Sequence, residues 1–420
     1  MNPDSDTPFT LSSKTFKYWV IDRATRRRGV VLQNTEEFWE PIAEDDPILV
    51  SQLKETIFDW EKWWVINTTN AGHIVFAEAY SPFQSDPLKG RPVVYLDQNH
   101  WSTVAQVLVD PKLVQKKSEV EPARELIRLA SDAGVILPLS SANLHETSAL
   151  YGDRRYEVGI AMGSLANGWT MRHPISVRKL ELAQAIADNL GVKTPASIHR
   201  AVFTLEPNAI FFGMKDAALL PPFDPELFKL AQIAPSVILD VLLDPEGEPS
   251  LSIDKWVNAN QAITDYLKNS GLKSNKKREY SYLSSLHDHW EQLTQAFALL
   301  DLPASRLANL DTKGWIKLFR STRMVHIYTH IAMLRHLNGD ANWKKNDLTD
   351  MLYLSCAAGY ADFVAAEKNT TESIRQAQNS VGLESNIFPT IERLVEVLRS
   401  EGVKTASDVA AEADGQPLSS

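Results

Sequence analysis

A short apolar run that ends on a carboxylate constrains this chain most. The run VVYL at positions 93–96 is mostly β-branched or aromatic, which is typical of a strand buried on both faces. Asp97 follows at once, and Trp101, Val104 and Leu108 then recur at helical spacing. Because ligands of an open parallel sheet collect outside the carboxyl ends of its strands, Asp97 is a candidate functional residue. Capping of the next helix is the alternative role for this carboxylate.

The residues that follow repeat the alternation of strand and helix. Positions 119–133 are amphipathic, Gly134 ends that helix, and positions 135–139 form a second apolar strand. The polar run SSAN then begins a helix that carries Glu146. This order predicts a parallel sheet with right-handed crossovers. It also places Glu146 near the sheet edge that carries Asp97.

A second group of acids lies towards the carboxyl terminus. Asp350 stands at the start of an apolar helix, and Glu367 follows a short strand expected at 361–366. Asp347 and Asp362 lie close to them in the sequence. Carboxylates gathered at one sheet edge repel one another unless cations offset their charge. An oxygen-rich site of this kind implies Mg²⁺ or Mn²⁺.

Composition limits the classes of function. The 420 residues are 44% hydrophobic and 23% charged, as in an ordinary globular protein. With 43 Lys and Arg against 53 Asp and Glu, the net charge is −10, so any contact with nucleic acid must be local. The one cysteine, Cys356, excludes an internal disulfide and a cysteine-based zinc cluster. The sequence shows no leader and no apolar run of about 18 residues, which predicts a cytoplasmic protein without membrane contact.

Changes in pattern along the chain predict its domain organisation. We expect a small N-terminal α+β domain over 1–88, a main α/β domain over 89–182 and 340–402, an α-helical insertion over 183–339, and a loose tail over 403–420. The N-terminal domain is rich in tryptophan, and it or the insertion could contact a protein partner. The insertion contains a basic cluster, for which a solvated loop is the simpler interpretation and nucleic-acid contact the alternative: Lys273, Lys276, Lys277 and Arg278.

Three stretches together carry a family resemblance. YLDQNHW, then LPLSSANLHET followed by DRRYEVGIAMGSLANGW, then NDLTDMLYLSCAAGYADFVAAEK resemble PIN-like domains, over roughly 91–170 and 343–380. PIN-like domains are metal-dependent nucleases of bacterial toxins, RNA-processing enzymes and flap endonucleases. The resemblance implies a parallel sheet flanked by helices, with acids at the strand mouths that bind divalent metal. A role as a bacterial toxin or defence protein would fit it.

The resemblance extends to individual residues. The acids that match the metal-binding and catalytic positions of the family are Asp97, Glu146, Asp350 and Glu367. Asn99 matches the accompanying polar position, and we assign it to substrate binding. The position of Glu367 is more often Asp in the family, Asp347 competes with Asp350, and Asp362 is a further candidate ligand or hydrogen-bonding acid.

Two arginines follow the second acid. Arg154 and Arg155 are candidates for holding a substrate phosphate, and surface salt bridges are the alternative.

The predicted function is divalent-metal-dependent hydrolysis of phosphodiester bonds by a metal-activated water. RNA is favoured over DNA because more of the resembling family acts on RNA. Two alternatives remain open. One is a catalytically inactive PIN-like scaffold that binds a partner, and the other is a metal-dependent phosphatase that acts on a small substrate.

Overall fold

The computed structural model describes residues 15–214, 220–221, 224–244, 253–303, 305–306 and 310–413. The chain begins with an antiparallel sheet of six strands in the order β3-β2-β1-β4-β5-β6. Its strands are β1 (Phe16–Asp22), β2 (Arg27–Leu32), β3 (Glu37–Pro41), β4 (Leu53–Asp59), β5 (Trp64–Thr69) and β6 (Ile74–Glu78). The prediction that the N-terminal domain is α+β is wrong in its helical part, because the described residues 15–88 contain no α-helix. The alternation of buried and less buried residues along β5 has the period of two that a strand with one covered face requires.

The N-terminal sheet is joined closely to the rest of the molecule. The Glu78 carboxylate, at the end of β6, accepts hydrogen bonds from Arg91 (2.7 Å) and from the side chain of Asn167 (2.9 Å). Gly168 has a φ of +84°, and a Cβ there would lie 2.4 Å from the Glu78 carbonyl oxygen, so only glycine fits this junction. These contacts fix the sheet against the main α/β unit.

A parallel sheet forms the centre of the main unit. Strands β7 (Val94–Leu96), β10 (Phe363–Ala365) and β11 (Ile387–Phe388) pair in the order β11-β10-β7. The strand expected at 135–139 continues this arrangement through only two isolated parallel bridges, Val93 to Ile136 and Leu139 to Thr170. The latter residue begins β8 (Thr170–Met171), which pairs antiparallel with β9 (Phe203–Thr204). The expected parallel sheet is therefore present, with short strands.

Helices cover both faces of this sheet, so the run at 93–96 is buried on both sides as predicted. Val93 and Tyr95 pack into one apolar cluster, whereas Val94 and Leu96 pack into the other. The described helices are α1 (Gln98–Val109), α2 (Val120–Ser131), α3 (Ser141–Ser148), α4 (Gly152–Ala166), α5 (Pro174–Leu190), α6 (Pro225–Leu243), α7 (Asp254–Asn269), α8 (Ser274–Leu299), α9 (Thr312–Arg320), α10 (Met324–Leu337), α11 (Lys345–Tyr360), α12 (Lys368–Asn379), α13 (Ile391–Ser400) and α14 (Ala406–Ala413).

The region expected as a helical insertion is helical, but it is not an appendage. Phe228 of α6 packs into the aromatic cluster of the N-terminal sheet, and Ser236 donates a hydrogen bond of 2.8 Å to the Asn67 side chain of β5. Helix α10 packs in the apolar cluster on one face of the parallel sheet. Within the described residues, no helix has an apolar stretch of the length that a bilayer crossing demands.

The start of α10 is capped by a carboxylate from α5. Both oxygens of Glu181 accept backbone hydrogen bonds, from Arg323 (2.5 Å), Met324 (2.9 Å) and Val325 (3.0 Å). The hydroxyl of Tyr360 donates a further bond of 2.9 Å. These donors satisfy the carboxylate and the unpaired N–H groups that open a helix.

The expectation of a loose tail over 403–420 is wrong for its first part. Helix α14 lies within it and is held to α2 by an ion pair of 3.0 Å between Arg128 and Asp408. The Ser407 N–H donates to the carboxylate of Asp132 at 3.0 Å. Residues 414–420 of the expected tail lie outside the described residues.

Candidate metal centre at the carboxyl edge of the parallel sheet

Two of the predicted acids lie side by side because their strands are neighbours. Asp97 follows β7 and Glu367 follows β10, and the two strands pair in parallel. The N–H of Asp97 donates to the Ala365 carbonyl at 3.0 Å, which extends the pairing to the strand ends. The side chain of Asp97 also caps α1 by accepting from the Gln98 N–H at 2.8 Å. Helix capping and metal binding by Asp97 are thus compatible, because the cap uses only one of its carboxylate oxygens.

Asn99 orients the second of these acids. Its side-chain amide donates a hydrogen bond of 2.5 Å to the Glu367 carboxylate. Both side chains are exposed at the mouth of the sheet. Asn99 therefore positions a carboxylate at the mouth, in addition to any contact with substrate.

Glu146 is carried by α3, whose first turns are held against β7 and α1 by hydrogen bonds. Ser140 and Asn143 form a capping box at the start of the helix. The Ser140 hydroxyl also shares a hydrogen bond of 2.9 Å with the Tyr95 hydroxyl. The amide of Gln98 donates to the Thr147 hydroxyl at 3.1 Å, one residue after Glu146. This network fixes where the Glu146 carboxylate meets the sheet edge.

Asp350 is carried by α11, and its position is fixed by a tyrosine one turn later. The Tyr353 hydroxyl shares hydrogen bonds with the Ser141 hydroxyl (2.7 Å) and with His173 Nε2 (3.2 Å). These contacts tie α11 to the start of α3 and to the residue that caps α5. Helices α3 and α11 thus bring Glu146 and Asp350 to the same edge of the sheet.

The four carboxylates act on one another electrostatically. Burial raises the pKa of Glu146 to about 7, with further contributions from Asp97, Asp350 and Glu367. Burial also raises the pKa of Asp350 to about 7; Asp97, Asp347 and Glu367 add to the rise, and Arg335 opposes it. The pKa of Asp97 is raised by its burial and by Glu367, against the hydrogen bond from Gln98. Like charges and partial desolvation therefore both oppose ionisation of this group.

Asp347 differs from the other acids because its carboxylate is paired with an arginine. Arg335 donates to the Asp347 carboxylate at 2.5 Å, and the Lys344 N–H donates to it at 2.6 Å. Among the described residues, no Lys or Arg forms an ion pair with Asp97, Glu146, Asp350 or Glu367. Asp347 is already neutralised, whereas Asp350 on the same helix is not. The pairing of Asp347 therefore favours Asp350 as the candidate ligand.

Two other predicted residues lie away from the mouth. Asp362 precedes β10, so it lies at the amino edge of the sheet, where its carboxylate accepts from the Val93 N–H at 2.7 Å. Arg155 is buried and donates to the carbonyls of Ser148 (3.2 Å) and Val241 (3.4 Å), which joins α4 to α3 and α6. The metal role expected for Asp362 and the phosphate role expected for Arg155 are not supported by these positions. Arg154 is exposed.

The donor set suits a hard divalent cation. Within the described part of the chain, no three His, Cys, Asp or Glu side chains are grouped closely enough to hold a metal ion. Mg²⁺ is usually held by one or two carboxylates with water completing its shell, so a preassembled cage of three is not required. The four acids supply only oxygen, which matches Mg²⁺ and Mn²⁺. The residues fit such an ion by chemistry and charge.

Several residues that build this site were not predicted from sequence. Arg335, which neutralises Asp347, and Tyr353, which links three helices, carried no signal that we interpreted. The spacing of Ser140 and Asn143 did indicate the start of α3. The hydrogen bonds of Gln98 and Tyr95 arise only when α1, α3 and β7 meet.

Comparison of the chain with protein-family models, with curated proteins and with solved structures gave no match.

Proposed function

We propose that this protein is a divalent-metal-dependent nuclease with a PIN-like domain, and that RNA is its favoured substrate. The observation that carries the proposal is the convergence of Asp97, Glu146, Asp350 and Glu367 from separate elements on one sheet edge. Their mutual repulsion is not offset by a paired Lys or Arg among the described residues. A bound cation would supply that offset. The resemblance to PIN-like domains supports the reaction class and the preference for RNA.

Each side chain has a role in the proposed site. One or two of the carboxylates of Asp97, Glu146 and Asp350 would hold Mg²⁺ or Mn²⁺ with water completing its shell, and Asn99 would keep Glu367 turned towards it. When bound, such an ion polarises the phosphodiester and lowers the pKa of an attacking water. Because the acids must be ionised to bind a cation, binding would release the protons that Glu146 and Asp350 hold near neutral pH.

A second candidate is a catalytically inactive scaffold that binds a partner. The observation in its favour is that no three candidate ligands are grouped closely among the described residues. On this alternative, the acids would show no saturable response to Mn²⁺.

The first test is a Mn²⁺ titration followed by thermal melting, with the wild type beside Asp97→Asn. Asparagine caps helices about as well as aspartate, so this variant should keep α1 and the fold. We expect saturable stabilisation of the wild type, about 2.7 kcal/mol at one hundred times the Kd, and its loss in the variant. Asp347→Asn is the matched control, because it removes a carboxylate of the same helix as Asp350 that is already paired.

Cleavage assays on RNA and DNA then test the reaction itself. We expect the wild type to cut RNA only with Mg²⁺ or Mn²⁺, and Asp97→Asn to be slower by a factor of ~10², corresponding to the loss of a few kcal/mol of charge stabilisation. Full activity of Asp97→Asn would contradict the proposed site. Activity on small phosphate monoesters alone would favour a phosphatase.

A further inference from the structure

The tip of the α7–α8 hairpin concentrates positive charge on an acidic protein. We define the hairpin tip as residues 266–280. It carries five basic residues and one acid (5 − 1 = +4), whereas the whole chain has a net charge of −10. Three residues of the basic cluster, at 276–278, belong to the first turns of α8, and Lys273 is the residue before that helix. The cluster therefore lies on a helix and not on the connector expected from sequence.

Most of this charge is available to a ligand. Lys268 pairs with Asp340 at 3.1 Å, and Lys276 pairs with Glu279 at 2.6 Å. Lys273, Lys277 and Arg278 form no ion pair within the described residues. Lys273 and Arg278 are exposed, and Lys277 is half-buried. The hairpin tip therefore presents cations that phosphate groups could neutralise.

Two tyrosines flank these cations. The rings of Tyr266 on α7 and Tyr280 on α8 lie 5.0 Å apart between centroids, at an interplanar angle of 38°. Their exposed fractions are 48% and 41%. Aromatic rings held at the surface among basic side chains are the arrangement on which unpaired nucleic-acid bases stack.

The positive region continues onto α9. Burial lowers the pKa of His330 on α10 to about 4, and His326, Arg320 and Arg278 lower it further. Arg278 of α8 and Arg320 of α9 therefore both act electrostatically on His330 of α10. Both arginines are exposed.

Helix α7 connects the hairpin tip with the group of acids at the sheet edge, which we call the acidic mouth: Asp97, Glu146, Asp350 and Glu367. Its first residue, Asp254, pairs at 2.9 Å with Lys345, the first residue of α11, which carries Asp350. The 16 residues of α7 give an axial length of roughly 24 Å. A ligand that touches both ends must be a polymer several nucleotides long.

We propose that the hairpin tip binds single-stranded RNA, and that it holds the part of the substrate that extends beyond the acidic mouth. The proposal rests on the proposed nuclease function for the identity of the ligand. Unpaired bases stack on Tyr266 and Tyr280, while Lys273, Lys277 and Arg278 contact phosphates. The local charge explains how an acidic protein holds a polyanion.

The test measures binding of a labelled single-stranded RNA to the full-length chain in EDTA, where metal-dependent cleavage cannot occur. Variants are Lys273→Ala/Lys277→Ala and Tyr266→Ala/Tyr280→Ala. The matched control is Lys54→Ala/Lys62→Ala, which removes the same charge from exposed positions on the N-terminal sheet. Hydrolysis of bis(4-nitrophenyl) phosphate with Mn²⁺ reports separately on the acidic mouth.

We expect the lysine variant to bind RNA about tenfold more weakly, with a slope of log K against log salt reduced by about 1.4, which is two single-strand phosphate contacts. The tyrosine variant should lose at least about fivefold. Both should hydrolyse the small diester at the wild-type rate, and the control should bind RNA as the wild type does. Duplex RNA should compete poorly.

Equal RNA affinity for the hairpin-tip variants and the control would overturn the inference, as would equal binding of a duplex. If the wild type does not hydrolyse the small diester or RNA but still binds RNA through the tip, the inference stands and the proposed catalytic function fails. If the wild type hydrolyses the small diester but the hairpin-tip variants bind RNA as the wild type does, the inference fails and the proposed catalytic function stands.

Discussion

The carboxylate of Glu181 and the carboxylates of the mouth have different electrostatic surroundings. Glu181 receives three backbone N–H groups and the Tyr360 hydroxyl, whereas Glu146 and Asp350 face other carboxylates. Burial raises the pKa in both groups. At Glu181 the hydrogen bonds oppose that rise, but at the mouth the neighbouring charges increase it.

The difference separates a structural acid from a candidate functional one. A carboxylate that accepts several N–H bonds stabilises the fold as it stands. A carboxylate beside other carboxylates destabilises the fold until something neutralises it. The mouth therefore carries a cost of like-charge repulsion that a bound cation would remove, whereas the cost at Glu181 is one of burial that its hydrogen bonds oppose.

Replacing the structural acid should give the largest change in stability. Glu181→Ala leaves three backbone N–H groups at the start of α10 and the Tyr360 hydroxyl without their acceptor. We expect the free energy of unfolding to fall by about 3 kcal/mol, measured by urea denaturation. A free energy of unfolding unchanged from that of the wild type would contradict the structural role of Glu181.

The metal-free protein should lose stability as pH rises, because the acids of the mouth have raised pKa values. The pKa of Glu146 rises from 4.5 to about 7 on folding, so the folded state retains a proton that the unfolded state has released. The free energy of unfolding should fall as pH rises from 4.5 towards 7, and stay low above that range.

For Glu146 we expect a fall of about 2 kcal/mol after allowance for solvent screening. Glu146→Gln should remove this part of the dependence and be more stable than the wild type at pH ~8. Urea denaturation in EDTA across the pH range measures both. A free energy of unfolding that rises over this pH range in the wild type would contradict this prediction.

Metal affinity should follow the same titration. Because Glu146 and Asp350 must lose protons to bind a cation, the Kd for Mn²⁺ should fall by about tenfold or more between pH 6 and pH 8, a difference of about 1.4 kcal/mol. Calorimetric titration in buffers of different ionisation enthalpy would detect the released protons. A pH-independent Kd would show that these two acids are not ligands.

We expect the smallest change in stability at Asp347, the acid of α11 that is paired with Arg335. Asp347→Asn breaks a half-buried ion pair with Arg335, and we expect a loss of about 1 kcal/mol with the response to Mn²⁺ unchanged. Melting curves with and without Mn²⁺ measure both quantities. Loss of the Mn²⁺ response would mean that Asp347 belongs with the mouth acids after all.

The sequence by itself determined that the run at 93–96 is a buried strand, and it determined the sheet edge on which Asp97 and Glu367 lie. The run at 93–96 is apolar throughout, and burial on both faces follows from that pattern. Asp97 and Glu367 follow parallel strands, so their positions at one edge follow from chain direction alone. The same rule places Asp362, which precedes its strand, at the opposite edge.

Only the tertiary structure decided which polar groups meet. Arg335 and Asp347 pair across two helices, Asn99 and Glu367 across two strand ends, and Arg155 is buried between α3 and α6. The N-terminal sheet likewise depends on Phe228 of a helix far along the chain to cover its aromatic face. Periodicity encodes how exposed a residue is along its own element, but not which residue stands opposite. That partner is set by how helices and strands pack, and it decides whether a carboxylate is satisfied or left to bind a cation.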